Sequence, residues 1–214
     1  MLEIHEVDVA IGSVSVLRRV DLTIADGQFA GLIGRNGAGK TTLLRSVMGL
    51  LTPIRGRIEF DRQPLAGIAA HHRARRGLGY MPEDRRLIPT LGVEQNILLP
   101  AWARGNAQAR ERLQRIYRLM PEVAALRERR ALLLSGGQQK LVALARALMS
   151  GDKLLLLDEP FEGVAPALAQ RLVDVIAGLR DIGVSVILAE SSLLHAQGML
   201  DVTYLIDRGE VRRA

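Results

Sequence analysis

The run Gly34-Arg35-Asn36-Gly37-Ala38-Gly39-Lys40-Thr41 restricts this chain more than any other, because it fits the pattern G-x-x-x-x-G-K-[ST]. Its glycines let successive backbone N–H groups turn inward around phosphate oxygens, and a following helix adds its positive N-terminal end. The context agrees. Phe29-Ala30-Gly31-Leu32-Ile33 reads as a small buried strand, and Lys40 to Met48 as a helix stopped by Gly49. Lys40 is expected to pair with the β- and γ-phosphates of ATP. Thr41 is expected to place its hydroxyl on Mg²⁺, with Thr42 beside it closing the cradle.

A second element answers the first. Leu154-Leu155-Leu156-Leu157 is an unbroken apolar run, the pattern of a strand buried on both faces, and Asp158 and Glu159 follow at its carboxyl end. Open α/β sheets bind ligands at that edge. Asp158 is expected to hold Mg²⁺ through its water shell, and Glu159 to polarise the attacking water. Elsewhere Leu2, Ile4, Val7, Val9 and Ile11 alternate with polar residues, as do Val20, Leu22 and Ile24; Gly56 to Phe60 is a further alternating strand. Glu83 to Met149 turns helical and Arg-rich, with no clear strand. After it, Leu168, Leu172, Val175, Ile176 and Leu179 fall at helical spacing, and Val184 to Ala189 is again a buried strand. Strands alternating with helices predict a mostly parallel sheet covered on both faces, with the helical stretch inserted as a lobe.

Leu134-Ser135-Gly136-Gly137-Gln138-Gln139 precedes a helix with Leu141, Val142, Leu144, Ala145 and Leu148 at its apolar positions. A Ser and two Gly at a helix N-terminus form a second anion site. One chain needs one γ-phosphate site for one ATP, so this second site is expected to serve ATP held by another copy.

Composition narrows the partners. There are no cysteines, so neither a disulfide framework nor a thiolate metal site is available. The start, Met1-Leu2-Glu3-Ile4-His5-Glu6, carries acids and lacks the pattern of a signal peptide. The apolar stretch Ile97 to Ala103 falls well short of the ~18 residues that span a bilayer. The chain is therefore expected to be cytoplasmic and to meet a membrane through a partner. Much of the net charge of +6 sits between Arg104 and Arg130, where eight Arg face three Glu. Tyr117 is the only aromatic there, so the interleaved stacking residues of a single-strand binder are missing, and no nucleic-acid partner is expected. A solvated helical face or contact with anionic lipid head groups accounts for the charge.

Phosphate loop, LSGGQ-type signature and LLLLDE strand, in this order and spacing, resemble the ABC (ATP-binding cassette) ATPases over nearly the whole chain. The resemblance implies an α/β P-loop NTPase core with an N-terminal antiparallel β lobe and an inserted α-helical lobe at about residues 84–149, all one nucleotide-binding domain. It implies ATP hydrolysis coupled to transport by two cassettes face to face, closed over ATP by Ser135, Gly136, Gly137 and Gln138 of the opposing copy. Multi-span permease subunits would dock on the helical lobe at the inner face of the membrane.

Tyr80-Met81-Pro82-Glu83-Asp84-Arg85-Arg86 stands where the family has its Q-loop, with Glu83 in place of the usual Gln. Glu83 keeps an oxygen ligand for Mg²⁺ and a group that orients water. With Ile88-Pro89-Thr90-Leu91-Gly92-Val93-Glu94-Gln95-Asn96 and Glu162-Gly163-Val164-Ala165-Pro166, this looks like the shorter ATPase of heteromeric importers for branched-chain amino acids, amides and urea. Such systems include a second ATPase subunit and a solute-binding protein. Three positions depart from the wider family. Ile11 stands where an aromatic usually stacks on adenine, which implies ATP affinity lower by about one order of magnitude. Ser191 stands where most cassettes have a His at the γ-phosphate; His195 would reach the site only if its loop folded back. Ala165 replaces the usual Asp of the D-loop, as in the resembled importers. Trp102 fits either a groove for a membrane partner or core packing, and Tyr204 fits sheet packing. The rival readings are a non-transport ABC ATPase in DNA repair or ribosome work, a regulatory cassette with little hydrolysis, and an exporter or lipid-extraction ATPase.

Overall fold

In the computed structural model, which describes residues 1–105 and 108–214, the alternating N-terminal sequence becomes a twisted hairpin. Strands β1 (Leu2–Ile11) and β2 (Val14–Ile24) pair antiparallel, and Leu2, Ile4, Val7, Val9, Val20 and Ile24 all point inward. The inward phase slips by one residue between Ile4 and Val7. A bulge there places Glu6 in the left-handed region at φ 45°, and its N–H is taken by the Asp21 carboxylate at 3.0 Å. Ile11 leaves the pattern: it lies at the hairpin tip and is half exposed.

The chain then runs through β3 (Phe29–Ile33), α1 (Lys40–Val47), β4 (Arg55–Phe60), β5 (Gln63–Pro64), α2 (Ala70–Arg75) and β6 (Leu78–Met81). It enters the helical insert, α3 (Val93–Arg104), α4 (Ala109–Leu119) and α5 (Pro121–Ala124), and returns along α6 (Gly136–Ser150). The remainder is β7 (Leu154–Asp158), α7 (Pro166–Gly178), β8 (Ser185–Glu190), β9 (Val202–Asp207) and β10 (Glu210–Arg213). Residues 106 and 107 of the helical stretch, within the Arg-rich segment noted above, lie outside the described residues. Among the described residues from Glu83 to Met149 no strand forms; one isolated bridge joins Gly92 to Arg130.

Two sheets result. The antiparallel one has the order β2-β1-β4-β5, and the other runs β10-β9-β3-β8-β7-β6. In the second, five neighbouring strands are parallel and only the edge strand β10 is antiparallel. Strands β3, β7 and β8 are buried at every position, as parallel strands covered on both faces must be. One apolar core lies between this sheet and α3, α6 and α7; a second joins it to the antiparallel lobe through α1. Tyr204 links the lobes across the second core: buried on β9, it donates its hydroxyl to the Thr23 carbonyl on β2 at 2.7 Å. Trp102, in contrast, is 55% exposed on α3, which removes core packing as its role.

Candidate nucleotide site

The register of the parallel sheet brings the chemistry to one edge. Ile33 at the end of β3 stands opposite Glu190 on β8, and Asp158 at the end of β7 stands opposite Ala189. The segments leaving these strands continue the ladder for one more bond each: Gly34 N–H donates to Glu190 O at 3.1 Å, and Glu159 N–H to Ala189 O at 2.9 Å. The phosphate loop, the two carboxylates and Ser191 thus issue from adjacent strands at a common level.

The loop between β3 and α1 needs its glycines for stated reasons. A Cβ at Gly34 would stand 2.2 Å from the Ile206 carbonyl oxygen, and Gly39 adopts φ 115°, in the region that favours glycine. Lys40, 4% exposed, folds back to donate to the carbonyls of Gly34 at 2.6 Å and Arg35 at 3.2 Å. Its ammonium also lies 3.0 Å from Glu159 Oε1. A cavity of about 360 Å³ opens on the loop, lined by Asn36, Gly37, Gly39, Lys40, Thr41, Thr42, Val16, Glu83 and Glu159. Arg35 is exposed beside it and Ala38 is buried beneath it.

Asp158 is fully buried behind Thr41. Thr41 donates its hydroxyl to Oδ1 at 3.0 Å and Tyr80 donates to Oδ2, also at 3.0 Å. Burial pushes the Asp158 carboxyl above the usual range, and the two hydrogen bonds pull against it. The same burial, with the neighbouring carboxylate, holds the Tyr80 phenol well above its ordinary value, so it remains a donor. The threonine hydroxyl and aspartate carboxylate, with Glu83 on the wall, form an all-oxygen donor set. Hard oxygen donors of this kind fit Mg²⁺, which keeps several waters and takes phosphate oxygens rather than a full protein cage.

Glu159 occupies the left-handed region at φ 49°, a conformation that persists in a non-glycine residue only where its surroundings fix it. Ser191 stands beside it: its Oγ donates to Asn36 Oδ1 at 2.9 Å and lies 3.4 Å from both Glu159 oxygens. His195 does not join the site. It is exposed and its ring packs on Phe161, with centroids 5.4 Å apart.

Ser135 and Gln138 form a capping box at the head of α6. Ser135 Oγ accepts from Gln138 N–H at 3.3 Å, and Gln138 Oε1 accepts from Ser135 N–H at 3.0 Å. Neither they nor Gly136 and Gly137 line the cavity of their own chain. Ile11 does not line it either; Val16, from the next strand, is the apolar residue that does. Ala165 begins α7 without a side-chain cap, and Pro166 at the first helical position supplies the preset backbone angle instead.

Three groups escape a reading by motif. Tyr80 is visible in the sequence only as the first residue of the Glu83 segment. Lys140 is a buried lysine inside a helix of apolar residues, with its ammonium on the backbone of the Glu159 turn. Arg146, further along α6, donates to the carbonyl of Arg86 at 2.6 Å and also to that of Arg85. Arg85 in turn donates to Gly136 O at 3.3 Å and Gln139 Oε1 at 3.2 Å, so the Arg85-Arg86 pair of the segment after Glu83 is fastened to the signature helix both at its head and further along. Asn96 completes that segment. Fully buried, it accepts from Ile88 N–H at 2.8 Å and donates toward the carbonyls of Ile88, Leu91 and Gly92.

A phosphate loop at the carboxyl edge of a parallel sheet, with a Thr–Asp pair and a glutamate above it, defines a P-loop ATPase. The family model described as ABC transporter matches residues 17–162, and the chain belongs to that family. It is an ATPase, the ATP-binding subunit of an ABC transporter. The high-affinity branched-chain amino acid transport ATP-binding protein BraG of Pseudomonas aeruginosa is 34% identical over 211 residues, covering 99% of this chain and 91% of that protein. The lipopolysaccharide export system ATP-binding protein LptB of Escherichia coli is also 34% identical, over 198 residues, 92% of this chain and 82% of that protein. Among solved structures, an ATP-binding subunit of an ABC transporter is similar with a TM-score of 0.87 at 27% identity, covering 100% of this chain and 89% of that one. The expected family and the α/β P-loop fold are thereby borne out.

Proposed function

We propose that this chain powers import of branched-chain amino acids or related small polar solutes, working as one of two cassettes docked on multi-span permease subunits at the inner membrane face. The likeness to BraG along 99% of the chain carries this reading, and Glu83 and the Val164-Ala165-Pro166 turn support it. A solute-binding protein would complete the complex. No helix among the described residues is long and apolar enough to cross a membrane, so the path for solute belongs to the partners.

In this reading the backbone of Gly34 to Gly39 and the Lys40 ammonium bind the β- and γ-phosphates of ATP. Thr41 and Asp158, with Glu83, hold Mg²⁺, which when bound supplies charge neutralisation at the phosphate oxygens. Glu159 orients the attacking water and accepts its proton; Glu83 and Ser191 fix the water and the γ-phosphate by hydrogen bonds. The signature residues Ser135 to Gln138, turned away from their own cavity, close over the nucleotide of the opposing copy. Most of the acceleration comes from positioning and charge stabilisation.

LptB, at the same identity, supports a second reading, extraction of a lipid. The test is reconstitution in proteoliposomes with the membrane subunits that co-purify with the chain. ATP-driven uptake of labelled leucine, lost with Glu159→Gln, supports import. ATP-driven release of lipopolysaccharide without solute uptake supports the second reading and overturns the first.

A further inference from the structure

We propose that Lys140 is a positioning residue for Glu159, holding the backbone turn from which the catalytic carboxylate projects. Lys140 lies on the second turn of α6 and is 5% exposed. Its Nζ donates to the carbonyls of Glu159 at 2.9 Å and Pro160 at 3.1 Å, and to that of Glu162. An ammonium has three N–H donors, and three carbonyls of one turn, those of Glu159, Pro160 and Glu162, use all of them. Among the described residues its hydrogen bonds go to main-chain oxygens, while the charges of Glu190, Glu162 and Glu159 act on it without a direct hydrogen bond.

The turn needs such a clamp. Glu159 is a non-glycine residue at φ 49°, and the alternative backbone, at negative φ, would swing its carboxylate off the line between Lys40 and Ser191. From the other side Phe161 N–H donates to Glu190 Oε1 at 3.0 Å, and Glu159 N–H is held by Ala189 O. The strand β8 therefore fixes the amides of the turn while α6 fixes its carbonyls. The α6 helix that presents Ser135 outward thus also sets the catalytic glutamate of its own chain.

The inference rests on Glu159 as the water-orienting base, and the test separates the two. Lys140→Met keeps the hydrocarbon stem and removes the donors. In wild-type background it is expected to lower kcat for ATP about 10–100-fold, the scale of a misplaced catalytic group, with KM for ATP within about twofold. Lys140→Arg, which can still donate to carbonyls, is expected to recover most of the loss. In a Glu159→Gln background, Lys140→Met is expected to leave the residual rate unchanged, because its effect runs through the carboxylate already removed. An equal fold-loss in both backgrounds, or wild-type turnover in Lys140→Met, overturns the proposal. Should Lys140→Met fail to fold, Lys140→Leu, which also lacks donors, carries the same cycle. Wild-type turnover in Glu159→Gln alone would instead overturn the assignment of Glu159, and the proposal with it.

Discussion

Lys40 and Glu159 face one another across 3.0 Å, with side chains 4% and 8% exposed, one from the head of α1 and the other from the turn after β7. In the proposed function, phosphate oxygens entering the cavity would compete with this carboxylate for the ammonium, and a bound γ-phosphate would turn Glu159 from a partner of Lys40 into a group facing the phosphate. Glu159→Gln is expected to lower kcat at least 10²-fold, since general-base catalysis contributes roughly 10²–10⁴. ATP affinity should hold or tighten, because Lys40 loses an anionic competitor. Equilibrium binding beside single-turnover hydrolysis checks both halves; weakened binding would contradict the competition.

Tyr80 supplies one of the two hydrogen bonds to the buried Asp158. Tyr80→Phe leaves Oδ2 without that donor and is expected to cost about 1.5–3 kcal/mol, the value of a hydrogen bond to a charged group. Thermal unfolding should fall by several degrees. The Mg²⁺ concentration for half-maximal turnover should also rise, as a carboxyl pushed further up gives its proton away less readily. Unchanged unfolding would exclude Tyr80 as a support for this carboxylate.

Ile11 lies half exposed at the hairpin tip beside the strand that supplies Val16 to the cavity. Ile11→Tyr is expected to tighten ATP about tenfold, since base–aromatic stacking contributes about 1–3 kcal/mol. GTP, with its own flat base, should gain similarly. No change for either nucleotide would mean that the hairpin tip does not reach the base.

Burial raises the Glu190 carboxyl from its ordinary 4.5 to about 7, with the Phe161 N–H bond opposing the rise and Glu159 adding to it. Between those two pH values the folded state holds the proton and the unfolded state has lost it. Stability therefore falls as pH rises through that window and stays lower above it. Glu190→Gln can still accept from Phe161 but carries no titrating proton. Its stability relative to wild type should thus be greater at pH 8 than at pH 5, by as much as about 3 kcal/mol. Denaturant midpoints at the two pH values decide it, and an offset that does not change with pH would refute it.

The sequence was legible where local pattern and tertiary role coincide. The loop from Gly34 to Thr41 and the strand ending in Asp158 carry their own geometry, and the parallel sheet puts both at one edge. It was illegible where a role depends on what another segment brings near. Tyr80 and Asp158 are 78 residues apart, and only the pairing of β6 with β7 makes them neighbours. Lys140 carries no motif, because its three partners are backbone carbonyls and leave no trace in side-chain types. Ile11 continues the inward phase of Val7 and Val9 in the sequence, and its place at the hairpin tip puts it outside. Trp102 offered two readings that only its exposure separates.

The grip of Arg146 on the carbonyls of Arg85 and Arg86 has a consequence for how this surface tolerates change. A guanidinium that holds main-chain oxygens is indifferent to which side chains the loop displays. The exposed Thr90 is thus free to be recut while the linkage to the signature helix stays in place, whereas Asp84, paired with Arg86 at 2.9 Å, belongs to the fastening. The arrangement works like a tool holder, in which one fixed clamp accepts interchangeable bits.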